Sequence, residues 1–370
     1  MKNNLQIDPS DTISAFLLFF IIHTAQIGIG IQGFQRIIYE DAKHDAWISV
    51  LLAGLATHII AIFMLKTLEI YGSNDLYGIH QDVFGKWIGN FFNIIYIIYC
   101  SAAFLAVLRN YIEVVQTWVF PDLNTWFLAA TLLLIVIYTF TGGLRVIVGV
   151  SFFSFVLSIW LFPMLAIPMK TIESRSLLPF LEANLGDILK GVQSMTFTII
   201  GFEILYVIYP FVKDKENTKK HVHLALFVTT LIYLAVMLVT LTYFSGEQLT
   251  KTIWATLSLF NIVRLPFVER FEYIVVCFWM LIILPNLCLF LWAAFRGTRR
   301  LVKVSANKFV WVFSFIMFIV SLAFKTRPQI NTFNNYYGQV AFYIVFVYPI
   351  ILYVLAVAKK KFKSRKEQME

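Results

Sequence analysis

Ten apolar segments, each long enough to cross a bilayer, leave this 370-residue chain little choice of architecture. A helical span needs roughly 20 apolar residues to cover about 30 Å of hydrocarbon. The segments lie at 12–35, 46–70, 87–111, 125–141, 145–169, 188–211, 221–244, 271–295, 308–324 and 336–357. With 59% hydrophobic and 14% charged residues and a mean hydropathy of +0.77, the chain reads as an integral membrane protein. The loops are too short to hold a soluble domain, which excludes a separate catalytic or nucleic-acid module. The expected fold is all-α, one membrane domain over 1–370 with a basic cytoplasmic tail at 358–370.

The 30 Lys and Arg residues orient the spans, because cytoplasmic loops carry the excess. With the N-terminus inside, 19 fall on the cytoplasmic side: Lys2, Lys66, Lys86, Arg145, and the groups from Lys213 to Lys220, Arg296 to Lys308 and Lys359 to Lys366. The other 11 fall outside, so both termini are expected in the cytoplasm. The net charge of +9 clusters at span ends, where anionic lipid headgroups attract it. Lipid, not nucleic acid, is the partner this implies. The first segment is expected to stay as a span, since Asp8 and Asp11 precede it and no small-x-small cleavage site follows. Cys100, Cys277 and Cys288 lie within spans without CxxC spacing and read as small core hydrophobes, with neither disulfide nor metal implied.

Two of the segments contain glycine interruptions, Ile27-Gly28-Ile29-Gly30 in the first and Thr198-Ile199-Ile200-Gly201-Phe202-Glu203 in the sixth. A helix broken at membrane depth frees backbone groups that hydrocarbon cannot satisfy. Corresponding breaks in two halves point to a midplane binding site between inverted repeats. A five-plus-five division follows, the first repeat at about 12–169 and the second at about 188–357, each opening with its broken helix. An odd-numbered unit leaves the chain on the opposite side, so the second copy is inverted. Glycine also serves close helix packing, the role read for Gly142, Gly143 and Gly149.

Free amides at such breaks suit a carboxylate and free carbonyls suit an ammonium. A zwitterionic amino acid needs both. Ser151, Ser154 and Ser158 share one face of the fifth span, either beside a ligand or as a packing face of small residues. Tyr99, deep in the third span, can cap a pocket or satisfy a neighbour. Ionisable groups at depth carry more weight. Glu203, two residues after Gly201, can hold its own broken helix, accept a ligand's ammonium or exchange a proton, and the first role is preferred. His23 and His58 read as neutral packing imidazoles, and His221-x-His223 as a basic span end.

The run Phe197-Thr198-Ile199-Ile200-Gly201-Phe202-Glu203 resembles the sixth-helix signature of permeases of the amino acid, polyamine and organocation superfamily. Over essentially its whole length the chain resembles, more specifically, the B subunits of spore germinant receptors, the GerAB family. The best markers are Ile253-Trp254-Ala255-Thr256-Leu257-Ser258-Leu259-Phe260, Glu269-Arg270-Phe271-Glu272 and Gly85-Lys86-Trp87-Ile88-Gly89. The resemblance implies ten helices folded like the leucine transporter. It also implies a germinant-sensing role in the spore inner membrane, with an amino acid as germinant and receptor A and C subunits as partners.

Carried onto this sequence, the ligand pocket comprises Gly28, Ile29 and Gly30, then Tyr99, then Thr198, Gly201 and Phe202, and lastly Pro285 and Asn286. The chain departs from many members at Pro285-Asn286, where paired polar residues are usual. Glu269, Arg270 and Glu272 are expected at a subunit contact or outer gate, with Glu269 and Glu272 on one helical face. No enzyme activity and no cofactor are implied. Proton-coupled amino-acid transport and conduction of small ions or solutes are the alternatives to sensing.

Overall fold

The computed structural model describes residues 7, 11–168, 181–266 and 268–369. Lys2, Asp8, Lys170 and Arg175, which entered the charge and leader readings, lie outside the described residues. Among the described residues the chain is helical without a strand. Seven helices among the described residues are long and apolar enough to cross a membrane, and Ala15–Gln26, Thr125–Thr141 and Phe202–Phe211 are shorter apolar helices. The protein is a multi-pass membrane protein.

The first apolar segment is α1 (Ala15–Gln26), a break at 27–29, one 3₁₀ turn (Gly30–Gln32) and α2 (Phe34–Ala42). Then follow α3 (Ala46–Tyr71), α4 (Leu76–Trp118), α5 (Thr125–Thr141), α6 (Leu144–Ser158) and the short α7 (Leu161–Met164). The sixth segment is split into α8 (Leu185–Ser194), α9 (Thr196–Ile199), a break at Ile200-Gly201, and a 3₁₀ turn leading into α10 (Leu205–Ile208). After it come α11 (Thr218–Tyr243), the short α12 (Gly246–Lys251) and α13 (Ala255–Ile262), and α14 (Phe271–Leu301). The chain ends with α15 (Ala306–Ala323), α16 (Arg327–Phe342), a π turn (Tyr343–Val347) and α17 (Tyr348–Met369).

Several boundaries differ from those read in the sequence, among them the fifth span, where α6 ends at Ser158 rather than 169, and the eighth, where α14 runs to Leu301. Helix α4 begins eleven residues before the expected span, because Gly85 at φ +82° folds Leu76–Phe84 back against the rest of the helix. Helix α16 starts at Arg327 with Thr326 and Gln329 as a capping box, so polar residues from Asn331 to Asn335 that looked like loop are helical. The basic tail continues α17 rather than leaving the helix at 357.

Helix α1 lies at the centre, buried from Leu18 to Gln26 and packed on α6, α11 and α14. A helix apolar on every side belongs in such a position. Its start is tied to the end of the sixth segment: Ile13 N–H donates to Phe211 O (2.9 Å), and Ala15 N–H to Asp214 Oδ1 (2.7 Å). Apolar side chains such as Leu55 and Phe153 remain exposed on the outer helix faces, as lipid contact requires. Cys100 and Cys288 are buried, but Cys277 is exposed on α14, which corrects its reading as a core residue.

Candidate functional site

Both interruptions fall where the glycines stand, and they meet. Gly201 adopts φ +120°, and a Cβ built on it would lie 2.1 Å from Ala25 O, so the two broken backbones touch there. Gly30 approaches Thr198 less closely, with a Cβ meeting its Oγ1 at 3.0 Å. At Gly28 the neighbour is Asn286 Nδ2, 3.3 Å from a built Cβ. A side chain at Gly201 would separate the segments; hence glycine.

The freed carbonyls find donors on three other elements and across the breaks themselves. Tyr233 on α11 places one hydroxyl 3.0 Å from Gln26 O and 2.9 Å from Thr198 O, bridging the two breaks. Gln26 Nε2 donates across to Ile199 O (2.7 Å). Asn286 Nδ2 on α14 donates to Ala25 O (3.0 Å) and Thr24 O (3.3 Å), and Trp279 Nε1 to Gly28 O (3.2 Å). From α13, Thr256 Oγ1 donates to Ile31 O (2.7 Å). Buried backbone groups are paired as a rule, and here side chains replace the missing helix.

Glu203 serves the sixth-segment break from within. Its Oε2 accepts from Gly201 N–H (2.7 Å) and its Oε1 from the Tyr99 hydroxyl (2.6 Å), while the Tyr96 hydroxyl donates to its backbone O (3.2 Å). The carboxyl is 1% exposed, with both oxygens engaged. Such an anchored group holds a backbone turn in place.

Between the breaks lies a cavity of about 40 Å³, walled by Gln26, Gly28, Ile29, Gly30, Thr198 and Asn286, with Ala103, Ala106, Phe197 and Phe290 as apolar sides. Two buried oxygens on this wall, Gln26 Oε1 and Asn286 Oδ1, have no hydrogen-bond partner among the described residues. Their amide NH₂ groups are committed to backbone carbonyls, which fixes both oxygens as free acceptors. Ile29, Gly30, Phe197 and Thr198 also border a vestibule of about 560 Å³ that includes Arg36, Asn110, Trp254, Arg327, Asn331 and Asn334. On the opposite side of the breaks the bundle is closed by Asp75 and Arg296 (3.6 Å), with Arg296 over the Phe211 ring and Lys215 donating to Gly72 O (2.7 Å).

The residues expected in the pocket divide accordingly. Gly28, Ile29, Gly30, Thr198 and Asn286 line the cavity. Gly201 sits at the contact between the breaks, and Tyr99 stands behind it on Glu203. Phe202 and Pro285 are buried off the cavity wall, Phe202 against Phe346. Glu269 precedes α14 and is exposed, whereas Glu272 is buried and holds Arg270 Nε at 2.9 Å. The expected shared helical face is therefore absent. Ser154 and Ser158 border a small separate cavity with His23, and His223 Nδ1 meets His58 Nδ1 at 2.8 Å. Gln26, Tyr233 and Trp279 were missed. Gln26 carried a signal, an amide next to the glycines in an apolar run; the other two are single aromatic residues among many.

The family model described as spore germination protein matches residues 12–330. The chain belongs to the spore germination protein family. Within this family it is 36% identical over 358 residues to the spore germination protein GerQB of Bacillus cereus, covering 97% of this chain and 99% of that one. It is 24% identical to the spore germination protein YndE of Bacillus subtilis (strain 168), covering 95% and 98%, and 22% identical to the spore germination protein B2 of that organism, covering 92% and 94%. The B-subunit resemblance read from the sequence is met by these relatives over nearly their full lengths.

Proposed function

We propose that this spore germination protein senses a small nutrient, a neutral amino acid, in the cavity between its two broken helices. The observation that carries the reading is the pair of unshared acceptors, Gln26 Oε1 and Asn286 Oδ1, buried on the cavity wall. Unpaired buried acceptors are costly, and an ammonium supplies the donors they lack. The carboxylate of the same ligand faces the backbone amides at Ile29 and Gly30, where the outer half of the first span begins. At about 40 Å³ the cavity holds roughly one water as it stands, so even a small amino acid requires the broken segments to part, and the Ala103, Ala106 and Phe290 sides give the widened site an apolar wall.

This reading takes the spans as ten, in two inverted sets of five, 12–169 and 188–357, within one membrane domain. The positive-inside count then places both termini in the cytoplasm and the vestibule on the outer face of the spore inner membrane. Nutrient reaches the site through the vestibule, while Asp75 and Arg296 keep the inner side shut. Binding favours one arrangement of the breaks, and that shift passes to the A and C subunits of a receptor. The names of GerQB and of the B2 and KB proteins of Bacillus subtilis fit a B-type subunit of such an assembly. Glu269 and Arg270, exposed at the outer end of α14, are proposed as a subunit contact or outer gate, with the buried Glu272 carboxylate holding Arg270 in place.

The test uses spores carrying this receptor alone. Gln26→Met and Asn286→Leu are expected to raise the nutrient concentration for half-maximal germination at least about tenfold, with the protein still present in the membrane by immunoblot. An unchanged dose response in both variants would remove the cavity from the sensing role. Uptake of labelled amino acids into proteoliposomes holding the chain separates sensing from transport. Accumulation driven by an inward proton gradient would favour the transporter.

A further inference from the structure

Beside the vestibule, two guanidiniums share a single carboxylate. Arg327, the first residue of α16, places Nη1 2.6 Å from Glu113 Oε2, and its guanidinium lies 4.0–5.0 Å from the Trp254 ring, at 4.6 Å from the centre. Arg109 stands one turn before Glu113 on α4 and donates from Nη2 to Phe324 O (3.1 Å), three residues before Arg327. Both cations are thus held against the junction between α15 and α16. Glu113 is the carboxylate whose charge reaches Arg109. Among the described residues neither arginine has another acid within ion-pair distance. Arg36, the other arginine on the vestibule wall, is answered by its own partner, Glu40 (3.4 Å).

The cluster is therefore short of one negative charge, and it is short of acceptors as well. Arg109 is 4% exposed, yet its Nε and Nη1 have no hydrogen-bond partner among the described residues, and neither has Arg327 Nε. A buried guanidinium without a counterion is costly at membrane depth. The backbone dipoles at the start of α16 add to the same positive field. Water from the vestibule would supply acceptors but no charge. An anion supplies both.

We propose that Arg109 and Arg327 bind a small monovalent anion, chloride or the carboxylate of a short acid, which enters through the vestibule that Arg327 and Asn110 border. The anion accepts from the free guanidinium N–H groups and balances the charge that Glu113 leaves over. The location is consequential. Asn110, next to Arg109, exchanges side-chain hydrogen bonds with Asn334 (3.0 and 2.9 Å), joining α4 to α16. Trp254, beneath Arg327, leads into α13, whose Thr256 holds Ile31 O beside the first break. An occupied site ties the outer ends of these helices together at the entry to the nutrient cavity.

The test heats the full chain in detergent over a series of sodium chloride or sodium acetate concentrations, with the bulkier isethionate keeping ionic strength constant. The midpoint of unfolding, read by size-exclusion recovery, is expected to rise with the logarithm of the anion concentration. A response to chloride at the lower concentration marks an inorganic anion, and a response to acetate at the lower concentration marks a carboxylate. Arg109→Met should weaken the response at least about tenfold. Glu113→Gln, which leaves two cations with no carboxylate, should lower the anion-free midpoint and reduce the half-effective anion concentration by about tenfold. A purely structural ion pair gives no such gain. Midpoints in chloride and acetate that match isethionate would overturn the proposal, as would an anion response that Glu113→Gln does not strengthen. No germination response enters this test, so its failure leaves the nutrient site between the breaks untouched.

Discussion

The Tyr233 hydroxyl, shared between Gln26 O and Thr198 O, is the smallest unit on which the site depends. Its loss takes the hydroxyl from Thr198 O and leaves Gln26 O with the Gly28 N–H (3.2 Å) alone, in a fully buried place, a cost of about 1–3 kcal/mol. Tyr233→Phe is therefore expected to lower the midpoint of thermal unfolding in detergent by several degrees, measured by size-exclusion recovery after heating. An unchanged midpoint would show that water or a backbone shift replaces the hydroxyl. Glu203 allows a sharper test of role. A glutamine there still offers an oxygen to Gly201 N–H and can donate its amide to the Tyr99 oxygen, so Glu203→Gln should keep both membrane level and germination response. Glu203→Ala empties the anchor and should lose both. If Glu203→Gln abolished germination at normal protein level, a proton-linked role would replace the structural one.

At the scale of elements, the three break glycines differ in what a methyl group meets. Gly201 combines φ +120° with backbone at 2.1 Å, Gly30 meets Thr198 at 3.0 Å, and Gly28 meets a side-chain amide at 3.3 Å. Backbone cannot give way as a side chain can. Alanine substitution is expected to rank Gly201 worst, Gly30 intermediate and Gly28 mildest, by membrane level and germination dose response in the same spores. Equal effects at all three would mean that the contact between breaks is not what requires glycine. These breaks were legible because glycine in a long apolar run is conspicuous. Helix existence was legible for the same reason, since apolar length is a strong signal. The Gly85 reversal was not, because a short amphipathic helix folded back on its successor has no apolar length of its own. Nor was the role of Tyr99, since which hydroxyl reaches Glu203 depends on the rotation of α4, which a nearly all-apolar helix does not encode. Polar Asn331 to Asn335 were read as loop because their partners, among them Asn110 bonded to Asn334, lie on a distant helix.

Across the whole molecule the breaks divide an open side from a closed one. The vestibule of about 560 Å³ reaches Ile29 and Thr198 from the side of α2 and α16, while the Asp75 and Arg296 pair seals the side of α17 and the basic loops. A sensor that reads nutrient arriving from outside needs this polarity. A transporter needs it only half the time. The proposed orientation therefore makes a prediction with two arms. In a Cys277→Ser background, which removes the exposed native thiol, Asn331→Cys on the vestibule wall should react with a membrane-impermeant maleimide added to intact cells. Lys303→Cys, exposed in the basic loop after α14, should react only after permeabilisation. The reverse pattern would invert the topology and place the vestibule in the cytoplasm, where it could not meet an external nutrient. Reaction of both from outside would mean that the positive-inside count misassigned the loop after α14. If the orientation holds, a saturating nutrient that leaves Lys303→Cys protected until permeabilisation fits a sensor that stays shut on the inner side. Nutrient-dependent exposure of Asn74→Cys, beside the Asp75 and Arg296 seal, to a reagent passing through the vestibule would instead show that the inner side opens during the response.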